Sequence, residues 1–317
     1  MRHPPLPTDS PTVLVTGADG FLGGHVARAV AARGVSVRRW TFRSPGDVQG
    51  DLLDSRLVDR AVAGIESVVH CAGVINASSG RDFWRVNVEA TRRLGAAARA
   101  AGVDRFVFVS SSDVVFSPGA RYGASKLAAE EALATADLAD LRVVRPTVIY
   151  GPGDRKNVWT MVQLARRVPV AYPLPGPGAG RRQPIWVEDV ARALARLALE
   201  EGGAPVRHLG GPERLTVRQM VELILDATGL RRRIVAVPVA GVLGRLGGLG
   251  CTRLLREHTE QLLSFEADKA WSDEPGQWTD ADGPRTGFAE GLRRWLAVEG
   301  AFGALAAGNG EWGAAGR

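Results

Sequence analysis

The chain is poor in cysteine, the residue that builds disulfide frameworks and many metal sites. Only two of its 317 residues are cysteines, Cys71 and Cys251, and they stand far apart without the paired spacing of metal ligands. The sequence therefore favours neither a disulfide-stapled secreted domain nor a cysteine-based metal centre. No run of about 18 uncharged apolar residues occurs, and the first residues lack the apolar core of a signal peptide. We expect a cytoplasmic protein without a membrane partner.

Clustered positive charge is also missing, although the formal net charge is +6. The longest uninterrupted basic run is Arg231–Arg233, and aromatic side chains are not interleaved with the arginines. Surfaces that bind nucleic acid combine a basic patch with aromatic residues on which bases stack. We therefore interpret the arginines as a solvated surface and expect no nucleic-acid partner.

Short β-branched runs alternate with amphipathic segments through the first half of the chain. The predicted strands cover residues 12–17, 35–42, 66–73, 105–111 and 141–151. The predicted helices between them cover residues 23–34, 55–65, 82–102 and 121–136. Because this alternation is typical of parallel strands joined by crossover helices, it predicts an α/β fold with a Rossmann-type doubly wound parallel sheet.

Beyond about residue 151 the alternation gives way to a loop rich in proline and glycine and to amphipathic helices at residues 187–203 and 216–229. This half predicts a smaller C-terminal substrate lobe. We expect mainly a dinucleotide-binding domain in residues 12–180, mainly a substrate-binding lobe, interleaved with the sheet domain, in residues 181–300, and disordered tails in residues 1–11 and 302–317.

Three glycines, Gly17, Gly20 and Gly23, stand between the first predicted strand and the first predicted helix. Such glycines permit a tight turn, a close approach of the backbone to a pyrophosphate, and close packing of the helix on the strand. The helix N-terminus then offers unpaired N–H groups to the phosphates. An isolated glycine triplet is weak evidence, but in this context it predicts a dinucleotide-binding turn.

The end of the second predicted strand indicates which dinucleotide binds. A carboxylate at that position binds the ribose of NAD and repels the 2′-phosphate of NADP, but no acid occurs there before Asp47. Thr41 and Arg43 occupy the position instead, and Arg38 and Arg39 precede them. We therefore expect NADP to be favoured over NAD.

Three further side chains have competing interpretations. Asp51 either accepts a hydrogen bond from the adenine amino group or caps the helix that follows it. His70 lies inside an apolar run near the end of the third predicted strand, which favours a buried, hydrogen-bonded histidine over a catalytic one. Cys71 is interpreted as a small core residue rather than a nucleophile.

A serine, a tyrosine and a lysine form the most informative pattern. Three serines, Ser110–Ser112, end a predicted strand, and Tyr122 and Lys126 lie four residues apart on the next predicted helix. A free tyrosine is a poor base because its pKa is about 10, but a nearby ammonium group favours the phenolate. Tyr122 then exchanges a proton with an alcohol or carbonyl oxygen that Ser112 orients, while Lys126 also holds the nicotinamide ribose.

Six short motifs occur in a fixed order along the chain: TGADGFLG, HCAG, RVNVEAT, SSSDVVF, YGASK and RPTVIYGPGD. With them, residues 12–296 resemble the extended short-chain dehydrogenase/reductases, the NAD-dependent epimerase/dehydratase family, which includes nucleotide-sugar epimerases, dehydratases and ketoreductases. The resemblance implies a homodimer, an ordering role for Asn87 and a structural role for Asp189. It implies catalytic roles for Ser112, Tyr122 and Lys126. It implies cofactor contacts from Gly17, Gly20, Phe21, Leu22, Gly23, Thr41, Arg43, Asp51, Leu52, Cys71, Ala72, Gly73, Lys126, Pro146 and Val148.

Two departures from the family pattern bear on the substrate. The loop between Ser112 and Tyr122 is shorter than in members that act on nucleotide sugars. Asp113 is followed by Val114, where dehydratases of the family carry a pair of acids, so dehydration is not expected. The candidate substrate contacts are Asp113, Asn157 and Arg182, the last as a clamp on a diphosphate.

The sequence thus predicts an NAD(P)-dependent ketoreductase or dehydrogenase that transfers hydride between nicotinamide and a carbonyl or alcohol carbon of a small molecule, a nucleotide-linked sugar or a related keto compound. Two alternatives stay open. One is an NAD-dependent nucleotide-sugar epimerase. The other is a non-catalytic dinucleotide-binding subunit of a larger assembly.

Overall fold

The structure, a computed structural model, describes residues 12–75, 80–202, 204–238, 267–272, 276–278 and 283–308. These residues divide into two units whose segments interleave along the chain. The first unit runs to Thr147 and also contains Val187–Gly210 and Trp271–Pro284. The second contains Val148–Trp186, Gly211–Ala270 and the segment that begins at Arg285.

The strands, numbered in chain order, are β1 Thr12–Thr16, β2 Ser36–Thr41, β3 Val48–Gln49, β4 Ser67–His70, β5 Arg105–Val109, β6 Leu141–Pro146, β7 Ile149–Tyr150, β8 Ala171–Pro175, β9 Arg181–Arg182, β10 Ile185–Trp186, β11 Val206–Leu209, β12 Leu215–Thr216 and β13 Arg233–Val237. The helices are α1 Phe21–Ala31, α2 Ser55–Val62, α3 Gly80–Phe83, α4 Ala90–Ala100, α5 Asp113–Phe116, α6 Arg121–Ala134, α7 Val158–Arg167, α8 Val187–Leu199, α9 Val217–Thr228 and α10 Phe288–Gly308. A π-helical segment, Trp84–Glu89, joins α3 to α4.

A seven-stranded sheet with the order β11-β6-β5-β4-β1-β2-β3 forms the centre of the first unit. Every neighbouring pair of its strands is parallel, which confirms the predicted Rossmann-type fold. The central strands β1, β4 and β5 are almost fully buried because their β-branched and aromatic residues face helices on both sides; Leu14, Val68 and Phe106 are each 0 % exposed. The carboxyl ends of β1, β4, β5 and β6 therefore meet along one edge, where parallel sheets bind ligands.

The helix boundaries follow from their capping residues. The carboxylate of Asp54 accepts hydrogen bonds from the backbone of Arg56 and Leu57 at the start of α2. At the start of α9, Thr216 and Gln219 form a reciprocal capping box, and Gly229 ends that helix in the left-handed conformation with φ +68°. Since Asp54 caps α2, the alternative interpretation of Asp51 as the helix cap is wrong.

The predicted helix over residues 82–102 is not a single regular helix. It begins at Gly80 and is interrupted by the π-helical segment Trp84–Glu89 before α4. Asn87 lies in that segment and is 1 % exposed. Such insertions turn a buried side chain out of the regular helical register and are frequent at functional sites.

The second unit has its own hydrophobic core. It consists of β7 and β10, paired in parallel, and of residues from α7, α9 and α10. Trp186 and Trp295 are 2 % and 0 % exposed within it. The α10 helix continues to Gly308, past residue 302, where the sequence predicts the start of a disordered tail; residues 1–11 and 309–317 lie outside the described residues.

Candidate active site

The turn between β1 and α1 is built on glycine. Gly17 has φ +65°, and the backbone N–H of Gly20 donates to its carbonyl at 2.8 Å. A Cβ atom at Gly23 would lie 2.1 Å from the Gly17 oxygen, and one at Gly17 would lie 2.9 Å from the Cα atom of Ala72. No described side chain caps α1, so the N–H groups of its first turn, at Phe21 and Leu22 among others, have no capping partner there and suit an anion such as a pyrophosphate; their contacts with a cofactor stay predictions.

The arginines of β2 are mostly engaged within the protein. Arg38 donates to the carbonyls of Ala61 and Ala63 at 2.8 and 2.7 Å. Arg39 pairs with Asp47 at 3.5 Å. The argument for NADP therefore depends on Arg43, which is exposed. Thr41, predicted to contact the cofactor, is buried instead, and its hydroxyl donates to the carbonyl of Ser44 at 2.5 Å.

An acid near the end of β2 escaped the sequence analysis because it comes from the glycine turn. One carboxylate oxygen of Asp19 accepts three hydrogen bonds from the backbone N–H groups of Phe42, Arg43 and Ser44, at 3.1, 3.0 and 3.3 Å. Burial raises the pKa of Asp19, but these backbone bonds outweigh it and the pKa lies below its usual value. A negative charge thus lies where the strand itself supplies none.

Two predicted adenine-side residues have definite surroundings. A carboxylate oxygen of Asp51 accepts a hydrogen bond from the backbone N–H of Leu53 at 3.0 Å, and Asp51 is exposed. Leu52 is 9 % exposed and belongs to the core of the first unit. A contact of Asp51 with adenine stays a prediction, while the Leu52 side chain serves packing.

The exit from β4 is held by a buried histidine. One ring nitrogen of His70 lies 2.7 Å from the hydroxyl of Thr16 and the other 2.9 Å from that of Thr91. Burial, and then the charge of Lys126, lowers the pKa of His70 to about 3, so the ring is neutral. The interpretation of His70 as a hydrogen-bonded core residue is confirmed.

The residues that follow His70 lie on the nicotinamide side of the predicted site. The backbone N–H of Ala72 donates to Thr16 at 3.2 Å. Burial raises the pKa of the Cys71 thiol to about 12, which leaves it unsuited to nucleophilic attack. A Cβ atom at Gly73 would lie 3.1 Å from the side-chain oxygen of Asn87, so this segment is closely packed.

Asn87 connects three elements. Its side-chain oxygen accepts from the N–H of Val74 at 2.8 Å, and its amide group donates to the Val74 carbonyl at 2.9 Å and to the Ser125 hydroxyl at 3.0 Å. Ser125 lies on α6 between Tyr122 and Lys126. These hydrogen bonds give a physical basis for the ordering role implied for Asn87, because they connect the chain after β4 to the helix that carries Tyr122.

The three serines before α5 differ in their surroundings. The Ser111 side chain lowers the pKa of Tyr122, and the Ser111 hydroxyl accepts a hydrogen bond from the N–H of Asp113 at 3.1 Å. Ser112 is 6 % exposed, and its N–H donates to the carbonyl of Pro146 at 2.9 Å. The catalytic role of Ser112 stays a prediction, and Ser111, which influences Tyr122, is a second candidate that the run of three serines could not distinguish from it.

The electrostatics of Tyr122 also differ from the expectation. Burial, followed by the nearby Asp113 carboxylate, raises the pKa of Tyr122 to about 12, and the bond to Ser111 lowers it only in part. Within the described residues, Lys126 is not among the groups that shift the pKa of Tyr122. The tyrosine is consequently a neutral phenol at physiological pH.

Lys126 is a buried cation, 4 % exposed. Its Nζ atom lies 4.1 Å from the centre of the Phe108 ring, a favourable cation–π position. Burial lowers the pKa of Lys126 to about 7, and Glu130 and then Cys71 act in the opposite direction. Near neutral pH, Lys126 therefore exists in both its charged and its neutral form.

A glycine makes the short loop before Tyr122 possible. A Cβ atom at Gly123 would lie 2.4 Å from the carbonyl oxygen of Ser117 and 2.6 Å from that of Asp113. The start of α6 therefore packs directly on the backbone of α5. This contact places Tyr122 beside Ser111 and Asp113 without an intervening insert.

The remaining predicted residues lie in the second unit or at its boundary. Asn157 precedes α7, and its amide donates to the carbonyl of Ile149 at 3.2 Å. Arg182 donates to the carbonyls of Arg181 and Ala267 at 2.8 and 2.6 Å. Val148 begins the second unit, and its carbonyl accepts from Ile185 at 2.9 Å. Their contacts with substrate or cofactor stay predictions.

A profile of the NAD dependent epimerase/dehydratase family matches residues 13–208 of the chain. The chain belongs to this family. It is 38 % identical over 248 residues to a ceramide reductase of Caulobacter vibrioides (strain NA1000 / CB15N), covering 73 % of this chain and 75 % of the relative. It is 30 % identical over 325 residues to a 2-alkyl-3-oxoalkanoate reductase of Stenotrophomonas maltophilia (strain K279a), covering 89 % and 97 %. The structure of MoeE5 in complex with UDP-glucuronic acid and NAD covers 91 % of this chain and 99 % of its own, with a TM-score of 0.70 and 25 % identity.

Membership of the epimerase/dehydratase family settles several expectations. The family is one of NAD-dependent enzymes, so the chain is an oxidoreductase, epimerase or dehydratase that uses a nicotinamide dinucleotide, and two of its relatives are reductases by name. The glycine turn fits that cofactor. Among the described helices, none is both long and apolar enough to cross a membrane.

Proposed function

We propose that this protein is a ketoreductase that reduces a substrate carbonyl to an alcohol with a nicotinamide dinucleotide as hydride donor. The observation that carries the proposal is Tyr122, a half-buried phenol on α6 whose ring lies 6.5 Å from that of Phe83 and whose pKa is raised by burial to about 12. A phenol that keeps its proton at neutral pH is suited to donate it to a developing alkoxide. The two reductases among the relatives support the same direction of reaction.

In this mechanism the bound cofactor supplies a hydride to the carbonyl carbon. Tyr122 donates its phenolic proton to the carbonyl oxygen, so that the substrate gains one hydride and one proton and becomes an alcohol. Ser111 donates a hydrogen bond to the same oxygen and stabilises its developing charge. Lys126 would hold the ribose of the bound cofactor, and a proton from solvent restores the phenol on Tyr122.

For the substrate we propose an apolar keto compound with an alkyl chain, ahead of a nucleotide-linked sugar. The ring of Phe83 lies 6.5 Å from that of Tyr122, and the adjacent Trp84 is 51 % exposed. Ile75, which follows the β4 exit, is likewise 51 % exposed. These side chains suit an alkyl chain better than a diphosphate, and the names of the two reductases agree with such a substrate.

A nucleotide-linked sugar, reduced or epimerised, is the second candidate. It is supported by the MoeE5 structure, which binds UDP-glucuronic acid and NAD, and by the prediction that Arg182 clamps a diphosphate. It ranks second because one terminal nitrogen of Arg182 already donates to two backbone carbonyls. The homodimer and the cytoplasmic location belong to the proposal on the resemblance alone.

The preference for NADP is part of the proposal and rests on opposing charges. Arg43 favours a 2′-phosphate, while the Asp19 carboxylate, held by the backbone of residues 42–44, disfavours it. The prediction from the sequence took account only of the arginines.

Oxidation of the reduced cofactor, followed by its absorbance, tests the proposal. The panel contains 3-oxo acyl compounds of increasing chain length and UDP- and dTDP-linked keto-sugars, each offered with NADH and with NADPH. We expect turnover that rises with chain length, and a loss of about 100-fold to 10,000-fold in kcat for Tyr122→Phe. Tyr172→Phe, which changes a tyrosine in the second unit, is the control. Turnover with keto-sugars alone would select the second candidate, and undiminished turnover by Tyr122→Phe would remove the tyrosine from the chemistry.

A further inference from the structure

Three polar side chains next to Lys126 have no role in the mechanism above. Arg145 binds the carboxylate of Glu130 through two nitrogens, Nε at 3.0 Å and Nη2 at 2.5 Å. The hydroxyl of Ser110 donates a short hydrogen bond to the same carboxylate. Glu130 is 8 % exposed and Ser110 is 3 % exposed, so the cluster lies in the interior.

The cluster joins three elements of the first unit. Ser110 directly follows β5, Arg145 lies on β6, and Glu130 lies on α6. Glu130 stands four residues after Lys126, which places both side chains on the same face of the helix. The helix that carries Tyr122 and Lys126 is thereby fastened to the strands whose ends form the site.

Stabilisation of the fold alone does not explain why a carboxylate is buried at this position. Taking an arginine and a glutamate out of water costs about as much as their attraction returns, and apolar replacements of similar volume often fold as stably or better. The cluster is therefore better explained by the electrostatic effect of the Glu130 carboxylate on another group. Lys126, itself buried, is the nearest candidate on the same helix.

The surroundings of Lys126 contain little other negative charge. Its Nζ atom rests on the Phe108 ring. His70 is neutral, and Cys71 is a protonated thiol because burial raises its pKa to about 12. Of the groups that favour the charged lysine, Glu130 acts most strongly.

We propose that Glu130, clamped by Ser110 and Arg145, is a positioning residue that holds the face of α6 on which Lys126 lies and favours the charged form of that lysine. The role of Lys126 in the reaction rests on the proposed function, but its charge does not. Glu130 touches neither the reacting atoms nor the cofactor in this mechanism, and it acts through the lysine. A fixed carboxylate is needed because burial alone would remove the lysine proton near neutral pH.

The chain offers a direct measurement because it contains only three lysines, Lys126, Lys156 and Lys269. Protein labelled with ¹³C and ¹⁵N in lysine alone gives three side-chain resonances, and Lys126→Met identifies the one of interest. Titrating the Lys126 Cε shift in the ligand-free protein gives its midpoint, expected near pH 7 in the wild type. No substrate is required, so failure of the proposed function does not affect this result.

The variant Glu130→Gln tests the proposal against Glu131→Gln, the same change at the neighbouring, exposed residue. We expect the Lys126 midpoint to fall by about one unit or more in Glu130→Gln, because a buried carboxylate on the same face of α6 is lost, and to stay unchanged in Glu131→Gln. The alkaline limb of the pH–kcat profile moves to lower pH by the same amount. The same midpoint in Glu130→Gln as in the wild type overturns the proposal.

Glu130→Gln leaves Arg145 as a buried unpaired cation and so risks misfolding. The double variant Glu130→Gln/Arg145→Gln removes both charges and avoids that penalty. Arg145 is not among the groups that shift the pKa of Lys126 within the described residues, so the midpoint falls in the double variant as well. Glu130→Asp, which keeps the charge, restores most of the wild-type midpoint. An unchanged midpoint in the double variant also overturns the proposal.

Discussion

Two regions of the first unit bind opposite ends of a dinucleotide in the proposed function, and they are built differently. The phosphate turn, Gly17–Gly23 with the end of β2, is a backbone structure in which glycine geometry and N–H groups do the binding. The tyrosine site, Ser111, Asp113, Tyr122 and Lys126, is a side-chain structure in which burial sets the protonation states. The geometry of the phosphate turn depends on the backbone conformations that glycine permits. The protonation states in the tyrosine site depend on the burial and the neighbours of each polar group.

The tyrosine site is most sensitive to the identity of its serine. Ser111→Ala removes the hydroxyl that lowers the pKa of Tyr122, and in the proposed function we expect kcat to fall about 100-fold to 1,000-fold, equivalent to about 3–4 kcal/mol of transition-state stabilisation. Ser112→Ala is the matched control and should keep most of the wild-type kcat. The reverse outcome, with the loss at Ser112, would return the catalytic role to the residue that the sequence predicts.

The close packing of α6 on α5 predicts a loss of stability at one glycine. Gly123→Ala puts a methyl group against two backbone oxygens that have little freedom to move, so we expect the free energy of unfolding to fall by about 1–3 kcal/mol, with a loss of activity as Tyr122 shifts. Gly119→Ala lies in the same loop with nothing within 4 Å of the added methyl and should be neutral or slightly stabilising. Urea unfolding of the two variants measures the difference, and equal stabilities would contradict the packing.

The two regions also differ in how far the sequence alone defined them. Glycine spacing predicts the phosphate turn because the local backbone geometry requires glycine at Gly17 and Gly23. The alternation of strand and helix patterns predicts the sheet, because that pattern is also set by neighbouring residues in the sequence. The sequence could not distinguish Ser111 from Ser112 as the partner of Tyr122, since Ser110–Ser112 all follow β5 and only the turn into α5 separates them. The protonation of Lys126 and Tyr122 could not be predicted, because it depends on burial by residues distant in the sequence. Asp19 was missed because the search for an acid stopped at the strand.

The buried lysine predicts how stability depends on pH. The pKa of Lys126 is about 7 in the folded chain against an ordinary value of 10.5, so between these values the unfolded chain holds one more proton. Raising the pH therefore favours the folded state, by up to about 1.4 kcal/mol per pH unit. We expect urea unfolding to show this rise between about pH 7 and 8.5, below the range where Cys71, with its pKa raised from 9.0 to about 12, acts in the opposite sense. Lys126→Met should remove the rise, and a persisting slope would assign it to other groups.

The smallest expected effect, at the phosphate turn, decides between the charges of Asp19 and Arg43. Asp19→Asn removes a negative charge near the predicted 2′ position, so the ratio of NADP to NAD affinity should rise about fivefold to tenfold, equivalent to about 1 kcal/mol. Arg43→Ala should lower the same ratio by a similar factor, because it removes the exposed cation. Asp59→Asn, at an exposed acid on α2, controls for net charge and should leave the ratio unchanged. Cofactor fluorescence gives both dissociation constants. If neither Asp19→Asn nor Arg43→Ala changes the ratio, the turn selects its cofactor by backbone geometry alone.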